Sequence, residues 1–147
     1  MQVREVLETK PSQKVATITP DEAVKAAIDK LCEQNIGALL VVNEHGEPVG
    51  IITERDVLTQ ASKDVQAFGG HRVADVMTRD LVCALPDDNV EYVMQVMTQN
   101  RIRHLPIIEE QKVIGLVSIG DLIKSQLEIS RVENHMLKDY LHLRGEL

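Results

Sequence analysis

Two aspartates, Asp56 and Asp121, stand at equivalent points of two similar segments and are well suited to bind a small molecule. Each segment begins with glycine and carries a hydroxyl residue, Thr53 or Ser118, three positions before the aspartate. A carboxylate only accepts hydrogen bonds, so it suits two adjacent hydroxyl donors such as those of a ribose. The threonine and serine hydroxyls can contact a sugar or a phosphate, and the free N–H groups at a helix start attract anions.

The same four residues also have a purely structural interpretation. Thr53 and Ser118 would cap the helices that follow them, and the two aspartates would only complement the helix dipoles. For one such segment alone, we favour this structural interpretation.

A basic cluster distinguishes the second half of the chain from the first. Arg101, Arg103 and His104 stand where the first half has Asn35, Gly37 and Ala38. The guanidinium of Arg103 can bond to two phosphate oxygens, and His104 can add a donor. The alternative is a solvated basic turn that pairs with nearby carboxylates. In a chain of net charge −7, we favour the phosphate contact. The small Gly37 and Ala38 would let a base or a second phosphate approach the backbone.

These residues belong to an internal repeat. The segment Thr19–Asp21 recurs as Leu85–Asp87, and apolar residues follow both at i, i+3, i+4 and i+7, which is typical of a helix face. The apolar run Ile36–Val42 then recurs as Ile102–Ile108. A polar turn and a glycine-led segment follow each run. Chance similarity would not keep helix, strand, turn and strand in the same order.

Each half is predicted to form strand, helix, strand, strand and helix. We therefore predict an α/β fold. It consists of two β-α-β-β-α repeats packed about a pseudo-two-fold axis, with a C-terminal helix. We expect the first strands near residues 15–17 and 81–83. Thr19 is predicted to cap the first helix, with Pro20 at its first position, and Asp88 to cap a later start in the second half.

The predicted organisation is a first repeat at residues 1–62, a linker at 63–71, a second repeat at 72–126 and an amphipathic helix at 127–147. Neither half is large enough to bury much surface by itself. We therefore expect the two halves to pack face to face.

From Val3 to about Lys124, this pattern resembles the tandem CBS-domain pair, also called a Bateman module. The resemblance rests on the two glycine-led segments, on Asp75–Thr78 and on Arg101–Ile107. It implies a free-standing, non-catalytic regulatory module that binds adenosine-containing ligands in clefts between the halves. Within this family pattern, the two matching segments favour ligand binding over capping alone.

The family's geometry implies that each cleft draws on both halves. The Asp121 cleft is expected to contain Ser118, Gly120 and His104, with Thr19, Ile36, Gly37 and Ala38 from the other half and adenine near Leu81 and Val82. The Asp56 cleft is expected to contain Thr53, Arg55, Val15 and Ala16, with Ile102 and Arg103 from the other half.

The ligands that the resemblance implies are AMP, ADP, ATP or NAD(H), and no metal is expected. Arg103 and His104 precede a strand start similar to the family's phosphate-contacting position, where the first half has no basic residue. One ligand, or a dinucleotide such as NAD that reaches across, therefore fits as well as one mononucleotide in each cleft.

The last helix carries an apolar stripe with helical spacing, formed by Ile129, Val132, Met136, Tyr140 and Leu143. We predict that this helix continues from the one that starts near Gly120. The stripe can pack on the module's own surface or against a second copy or partner. Because CBS pairs commonly form homodimers, a homodimer contact is favoured.

Composition argues against several other classes of protein. The 23 acidic residues outnumber the 16 basic ones, and aromatic residues make up only 2%, so a nucleic-acid partner is not expected. No run approaches the roughly 20 apolar residues of a membrane helix, and no secretory signal is recognised. Cys32 and Cys83 are predicted to be buried thiols. These features together predict a cytoplasmic protein.

Two alternatives come from other functional classes. A dimerising partner-docking module with vestigial clefts would assemble without nucleotide affinity. An enzyme ranks lowest, because the sequence has no phosphate loop, Ser-His-Asp constellation or metal cluster at a recognisable spacing. In the leading hypothesis, a ligand-dependent change of shape or dimer packing is read by an unidentified partner protein.

Overall fold

The computed structural model of the chain describes residues 1–10 and 14–143. Its helices and strands, in chain order, are α1 (Val3–Thr9), β1 (Thr17–Ile18), α2 (Val24–Gln34), β2 (Ala38–Val42), β3 (Pro48–Thr53), α3 (Glu54–Lys63), a short 3₁₀ turn (Phe68–Gly70), α4 (Val73–Val76), α5 (Val90–Asn100), β4 (His104–Glu109), β5 (Lys112–Ser118) and α6 (Ile119–Leu143). The predicted α/β fold with two repeats and a C-terminal helix is confirmed.

Each half contains a small sheet built around one antiparallel strand pair. In the first half the order is β1-β2-β3, with β1 parallel to β2 and β2 antiparallel to β3. In the second half β4 and β5 pair in the same antiparallel way. The strand that would correspond to β1 is reduced to a single bridge between Ala84 and Ile107.

The first strands therefore begin later than expected in both halves. β1 starts at Thr17 rather than near residue 15, although the Leu40 N–H still donates to the Ala16 carbonyl. In the second half, Pro106 occupies the position of Leu40 and has no N–H to donate. The equivalent bond to Val82 cannot form, so pairing starts only at Ala84.

The two leading helices also begin later than predicted. The Thr19 N–H donates to the Glu22 carboxylate at 2.8 Å, which closes a separate turn before α2. The Leu85 N–H donates to the Asp88 carboxylate at 2.8 Å in the same way. Thr19 and Asp88 are therefore turn residues, and the N-cap side chain of α5 is Asn89.

α2 and α5 start later than predicted because an extended residue follows each turn. This residue pairs with a residue in the opposite half of the sequence. Ala23 forms a bridge with Arg72, and Asn89 forms a bridge with Gln2. An extended residue cannot belong to the helix, so α2 starts only after Ala23 and α5 only after Asn89.

The short helices α1 and α4 are exchanged between the halves. The N–H of Val3 donates to the Asp88 carbonyl at 3.0 Å, and the N–H of Val73 donates to the Glu22 carbonyl at 2.8 Å. The core of the second half contains Val3, Val6, Leu7, Ala84, Val90, Val93, Met97, Leu105, Ile107, Val117 and Leu122. The core of the first half contains Ile18, Ala27, Leu31, Leu39, Val41, Ile52, Val73 and Met77.

A glycine in each repeat makes room for the exchanged segment. A Cβ on Gly115 would lie 2.5 Å from a methyl carbon of Leu7, and a Cβ on Gly50 would lie 2.9 Å from the sulfur of Met77. Both distances are shorter than any tolerated carbon contact. Any larger residue at the glycine that opens each motif would therefore force a neighbouring group to move.

Helix α6 starts on the second half and then leaves it. Leu122 and Ser125 are buried, whereas every residue from 130 to 140 is exposed. The prediction of one continuous helix is confirmed by its bounds, Ile119–Leu143. The side chain of Leu143 lies outside the described residues. None of the described helices has both the length and the apolar character needed to cross a membrane.

The two cysteines differ from their predicted burial. Cys32 is exposed on α2, and Cys83 is half-buried beside the second sheet. Partial burial raises the pKa of the Cys83 thiol. Both cysteines are free thiols.

Candidate functional site

Two clefts open between the halves, and each contains one of the repeated aspartates. The Asp56 cleft has a volume of about 450 Å³ and the Asp121 cleft about 500 Å³. Both volumes lie in the usual range for small-ligand sites. The two aspartates that the sequence singled out therefore face concave surfaces of suitable size.

Most of the predicted site residues line one of these clefts. The Asp56 cleft contains Thr53, Arg55, Asp56, Ile102 and Arg103. The Asp121 cleft contains Ser118, Asp121, Ile36 and Ala38. Gly37 and His104 line both clefts. The structure thus brings together residues from both halves in each cleft.

Two pairs of predicted residues lie in the opposite clefts from those expected. Val15 and Ala16 line the Asp121 cleft, and Leu81 and Val82 line the Asp56 cleft. The strand order β1-β2-β3 is the reason, because β1 and β3 form opposite edges of the sheet. Residues just before β1 therefore face one cleft, and Asp56, just after β3, faces the other.

Two other predicted residues, Thr19 and Gly120, line neither cleft. The Thr19 hydroxyl donates to the Glu22 carboxylate at 3.2 Å, within the turn before α2. Gly120 is exposed in the first turn of α6. Both residues are close in sequence to cleft residues, but the Thr19 hydroxyl is bonded within its own turn and Gly120 has no side chain to reach the cleft.

The Asp56 carboxylate is held at the start of α3 by a reciprocal cap. Its Oδ2 accepts from the Thr53 N–H at 3.0 Å and from the Thr53 hydroxyl at 3.2 Å. The Asp56 N–H donates back to the Thr53 hydroxyl oxygen at 3.2 Å. The Thr78 hydroxyl donates to the other carboxylate oxygen at 3.1 Å. Capping and exposure to the cleft therefore coexist in one residue.

The Asp121 carboxylate is held in the same way at the start of α6. Its Oδ2 accepts from the Ser118 N–H at 2.9 Å, and the Asp121 N–H donates to the Ser118 hydroxyl oxygen at 3.0 Å. The Nζ of Lys10 lies 3.1 Å from the same Oδ2. Partial burial, the largest influence, raises the pKa of Asp121, but the bonds from Ser118 and Lys10 outweigh it and leave the pKa below its usual value.

Lys10 is a residue of the Asp121 cleft that the sequence interpretation missed. Its Nζ donates to the Leu116 carbonyl at 2.6 Å besides contacting Asp121, and its side chain is only 27% exposed. Lys10 directly follows α1, whose packing on the second half is a tertiary feature. Nothing in the residue spacing could have indicated the pair.

His104 and Gly37 meet between the two clefts. A Cβ on Gly37 would lie 2.8 Å from the Nε2 of His104, so only glycine permits this approach. The sequence interpretation reserved the space beside Gly37 for a base or a phosphate. The structure fills that space with the imidazole of His104.

Burial lowers the pKa of His104, which favours the neutral imidazole. The carboxylates of Glu54 and Asp121 act against this shift. The positive charges of Lys10 and Arg103 reinforce it. The shared wall of the two clefts is therefore a neutral donor and acceptor near pH 7.

Three arginines line the Asp56 cleft, namely Arg55, Arg101 and Arg103. All three are exposed, and within residues 1–10 and 14–143 none forms an ion pair. The sequence indicated Arg103 as a phosphate contact, and the structure adds Arg101 to the same cleft. The described residues contain no group of three histidine, cysteine or acidic side chains that could hold a metal ion.

Comparison with known proteins supports a family assignment. A family model described as CBS domain matches residues 3–63 and 73–128. The CBS domain-containing protein CBSX3, mitochondrial, of Arabidopsis thaliana is 38% identical over 127 residues, which are 84% of this chain and 62% of that protein. This chain thus spans less than two thirds of that relative.

Solved structures show the same architecture. A protein with CBS domains from Burkholderia ambifaria MC40-6 has a TM-score of 0.82 at 36% identity, covering 87% of this chain and 95% of that one. The CBS domain pair of protein MJ0100, in complex with 5′-methylthioadenosine and S-adenosyl-L-methionine, has a TM-score of 0.73 at 26% identity. That comparison covers 84% of this chain and 98% of the other.

Proposed function

Because the chain belongs to the CBS-domain family and carries two of its repeats, we propose that it is a non-catalytic regulatory module that binds an adenosine-containing ligand between the halves. The observation that carries this proposal is the pair of equivalent carboxylates, Asp56 and Asp121, each held by a cap at the wall of a cleft. The adenosine ligands of the MJ0100 structure support the ligand class.

The Asp56 cleft offers the three kinds of surface that a nucleotide needs. The carboxylate accepts from the two ribose hydroxyls, and its cap fixes its orientation before the ligand arrives. In the Asp56 cleft, the apolar Leu81, Val82 and Ile102 can pack against the adenine ring. The exposed guanidinium of Arg103 can then bind phosphate oxygens in the same cleft.

We propose AMP, ADP, ATP or NAD(H) as the ligands. A ligand regulates only if it binds one shape of the module more tightly than another. His104 and Gly37 line both clefts, so occupation of either cleft acts on the contact between the two halves. A partner protein would read the resulting shape.

Calorimetry on the full chain tests the ligand proposal. We expect AMP, ADP, ATP, NAD, NADH or S-adenosylmethionine to bind, and the double variant Asp56→Asn with Asp121→Asn to lose that binding. Asparagine keeps the side-chain size, and thermal melting verifies the fold of the variant. Asp139→Asn is the matched control, because Asp139 pairs with His135 on the exposed part of α6.

Two results would contradict the ligand proposal. The first is a wild-type chain that binds none of these compounds. The second is full binding by the double variant. The first result, combined with a stable dimer, would favour the partner-docking alternative with vestigial clefts.

We also propose that α6 forms a homodimer contact. Its buried residues Leu122 and Ser125 continue along the same face into Val132, Met136 and Tyr140. These three side chains are 57%, 66% and 53% exposed. A continuous apolar stripe of this length is stabilised when a second apolar surface covers it.

Sedimentation of charged variants tests the dimer. We expect the wild type to be dimeric and Val132→Glu with Met136→Glu to be monomeric, with ligand affinity retained. Ser130→Glu with Asn134→Glu adds the same charge to other faces of the helix and is the control. A monomeric wild type, or a dimeric stripe variant, would contradict the proposal.

A further inference from the structure

We propose that Lys10 makes the Asp121 cleft selective for adenosine ligands that carry a negative group, so that this cleft takes a nucleotide and rejects neutral or cationic nucleosides. The inference rests on the proposed function, since it specifies the charge of a ligand bound at Asp121. Lys10 lines this cleft and lies outside the Asp56 cleft.

The ammonium of Lys10 already occupies the carboxylate to which a ribose would bind. Its Nζ lies 3.1 Å from the Oδ2 of Asp121 and donates to the Leu116 carbonyl at 2.6 Å. The Lys10 and Asp121 side chains are only 27% and 29% exposed. An entering diol therefore competes with a half-buried ion pair for Asp121.

The outcome of that competition depends on the charge of the ligand. When two ribose hydroxyls replace Lys10 at Asp121, the carboxylate keeps its hydrogen bonds, but the ammonium loses its anion. An unpaired, partly buried charge is costly. A ligand phosphate restores an anion to Lys10, which can follow it because its four-carbon stem is flexible. A neutral or cationic ligand brings no such compensation.

Lys10 does not line the Asp56 cleft, so this cleft serves as an internal reference. There the side-chain donor from outside the cap is the neutral hydroxyl of Thr78, which lies 3.1 Å from the other carboxylate oxygen, Oδ1. Displacing a neutral hydroxyl leaves no unpaired charge. The two clefts therefore differ in whether a ligand that takes over the carboxylate leaves a positive charge without its partner, although their aspartates are equivalent.

The test is an NMR titration of the full chain with AMP or 5′-methylthioadenosine. The amide signal of Ser118 reports on the Asp121 cleft, and that of Thr53 reports on the Asp56 cleft. At the Asp121 cleft, followed through Ser118, we expect AMP to bind at least about tenfold more tightly than the neutral 5′-methylthioadenosine. One charge-assisted contact is expected to give about this ratio of affinities. Lys10→Met should weaken AMP about tenfold and tighten 5′-methylthioadenosine at that cleft. At the Asp56 cleft, followed through Thr53, Lys10→Met should leave the ratio of the AMP and 5′-methylthioadenosine affinities unchanged.

Lys138→Met, on the exposed part of α6, controls for the loss of a positive charge. Lys10→Gln, which can still donate to the Leu116 carbonyl, is the second variant and guards against misfolding of Lys10→Met. The inference is overturned if both ligands bind equally at Ser118, or if both variants change the two affinities in the same direction. Binding of neither compound at either cleft would instead contradict the proposed function.

Discussion

At the residue scale, His104 is the side chain through which the two clefts meet. Its imidazole fills the space that Gly37 leaves, and it lines both clefts. The repeat places Ala38 at the equivalent position of the first half. The shared wall of the two clefts therefore carries an imidazole from the second half of the chain.

We predict that His104 gives the fold a pH dependence on the acidic side of neutrality. Burial keeps the folded pKa of His104 below the usual value of about 6.5, so the unfolded chain binds a proton more readily. The contribution of His104 to the free energy of unfolding is fully present above the unfolded pKa. It is lost as the pH falls from the unfolded pKa to the folded pKa.

Urea unfolding at about pH 7.5 and about pH 5 measures this dependence. The wild type should lose more stability between the two values than His104→Gln, which cannot titrate. Asp121 affects stability only at lower pH. Because its pKa is lowered in the folded chain, its contribution to the free energy of unfolding is lost only as the pH falls below about 3.8. Equal losses in the two chains would refute the assignment to His104.

At the element scale, the short helices α1 and α4 lock the repeats together. Each follows the same rule: a side chain near the helix end packs over a glycine of the neighbouring strand. Leu7 packs over Gly115 in β5, and Met77 packs over Gly50 in β3. The glycine in each motif thus serves the exchanged helix rather than the backbone of a turn.

We predict that Gly115→Ala destabilises the fold by about 1–3 kcal/mol, the usual cost of overpacking. The added Cβ would lie 2.5 Å from a methyl carbon of Leu7, so the Leu7 side chain must move from its packed position. Denaturant unfolding measures the change. Gly70→Ala is the control, because its added Cβ has no heavy atom within 4 Å. Similar stability of the two variants would show that Leu7 can move freely.

At the scale of the whole molecule, the halves of the sequence are not the halves of the structure. Val3 and Val73 are both fully buried, each in the core formed mainly by the other half of the chain. Arg4 adds a contact across the same junction, since it pairs with Glu109 at 2.6 Å. Separate folding of either half would leave a core without its exchanged helix.

We predict that Val3→Ala and Val73→Ala perturb opposite halves. Each removes two buried methyl groups and should cost about 1–3 kcal/mol. Val3→Ala should change the methyl NMR signals of Leu105, and Val73→Ala those of Leu39, because these residues share the respective cores. Val65→Ala, at an exposed site, is the control. Changes in the near half of the sequence would contradict the exchange.

The sequence by itself determined what depends on local spacing. The period of apolar residues defined two repeats and a continuous α6, and the three-residue interval from Thr53 to Asp56 and from Ser118 to Asp121 marked both carboxylates. These features depend on neighbours within one helical turn or one strand, where the side-chain pattern follows from backbone geometry. The family resemblance extended the same pattern to the clefts.

Only the tertiary structure decided which cleft each segment faces and where the exchanged helices pack. Val15 and Ala16 face Asp121 because β1 and β3 form opposite edges of one sheet, and Lys10 reaches Asp121 because α1 packs on the far half. Such contacts join residues that are distant in the chain, and they are selected by mutual fit of whole elements. No local periodicity records that fit.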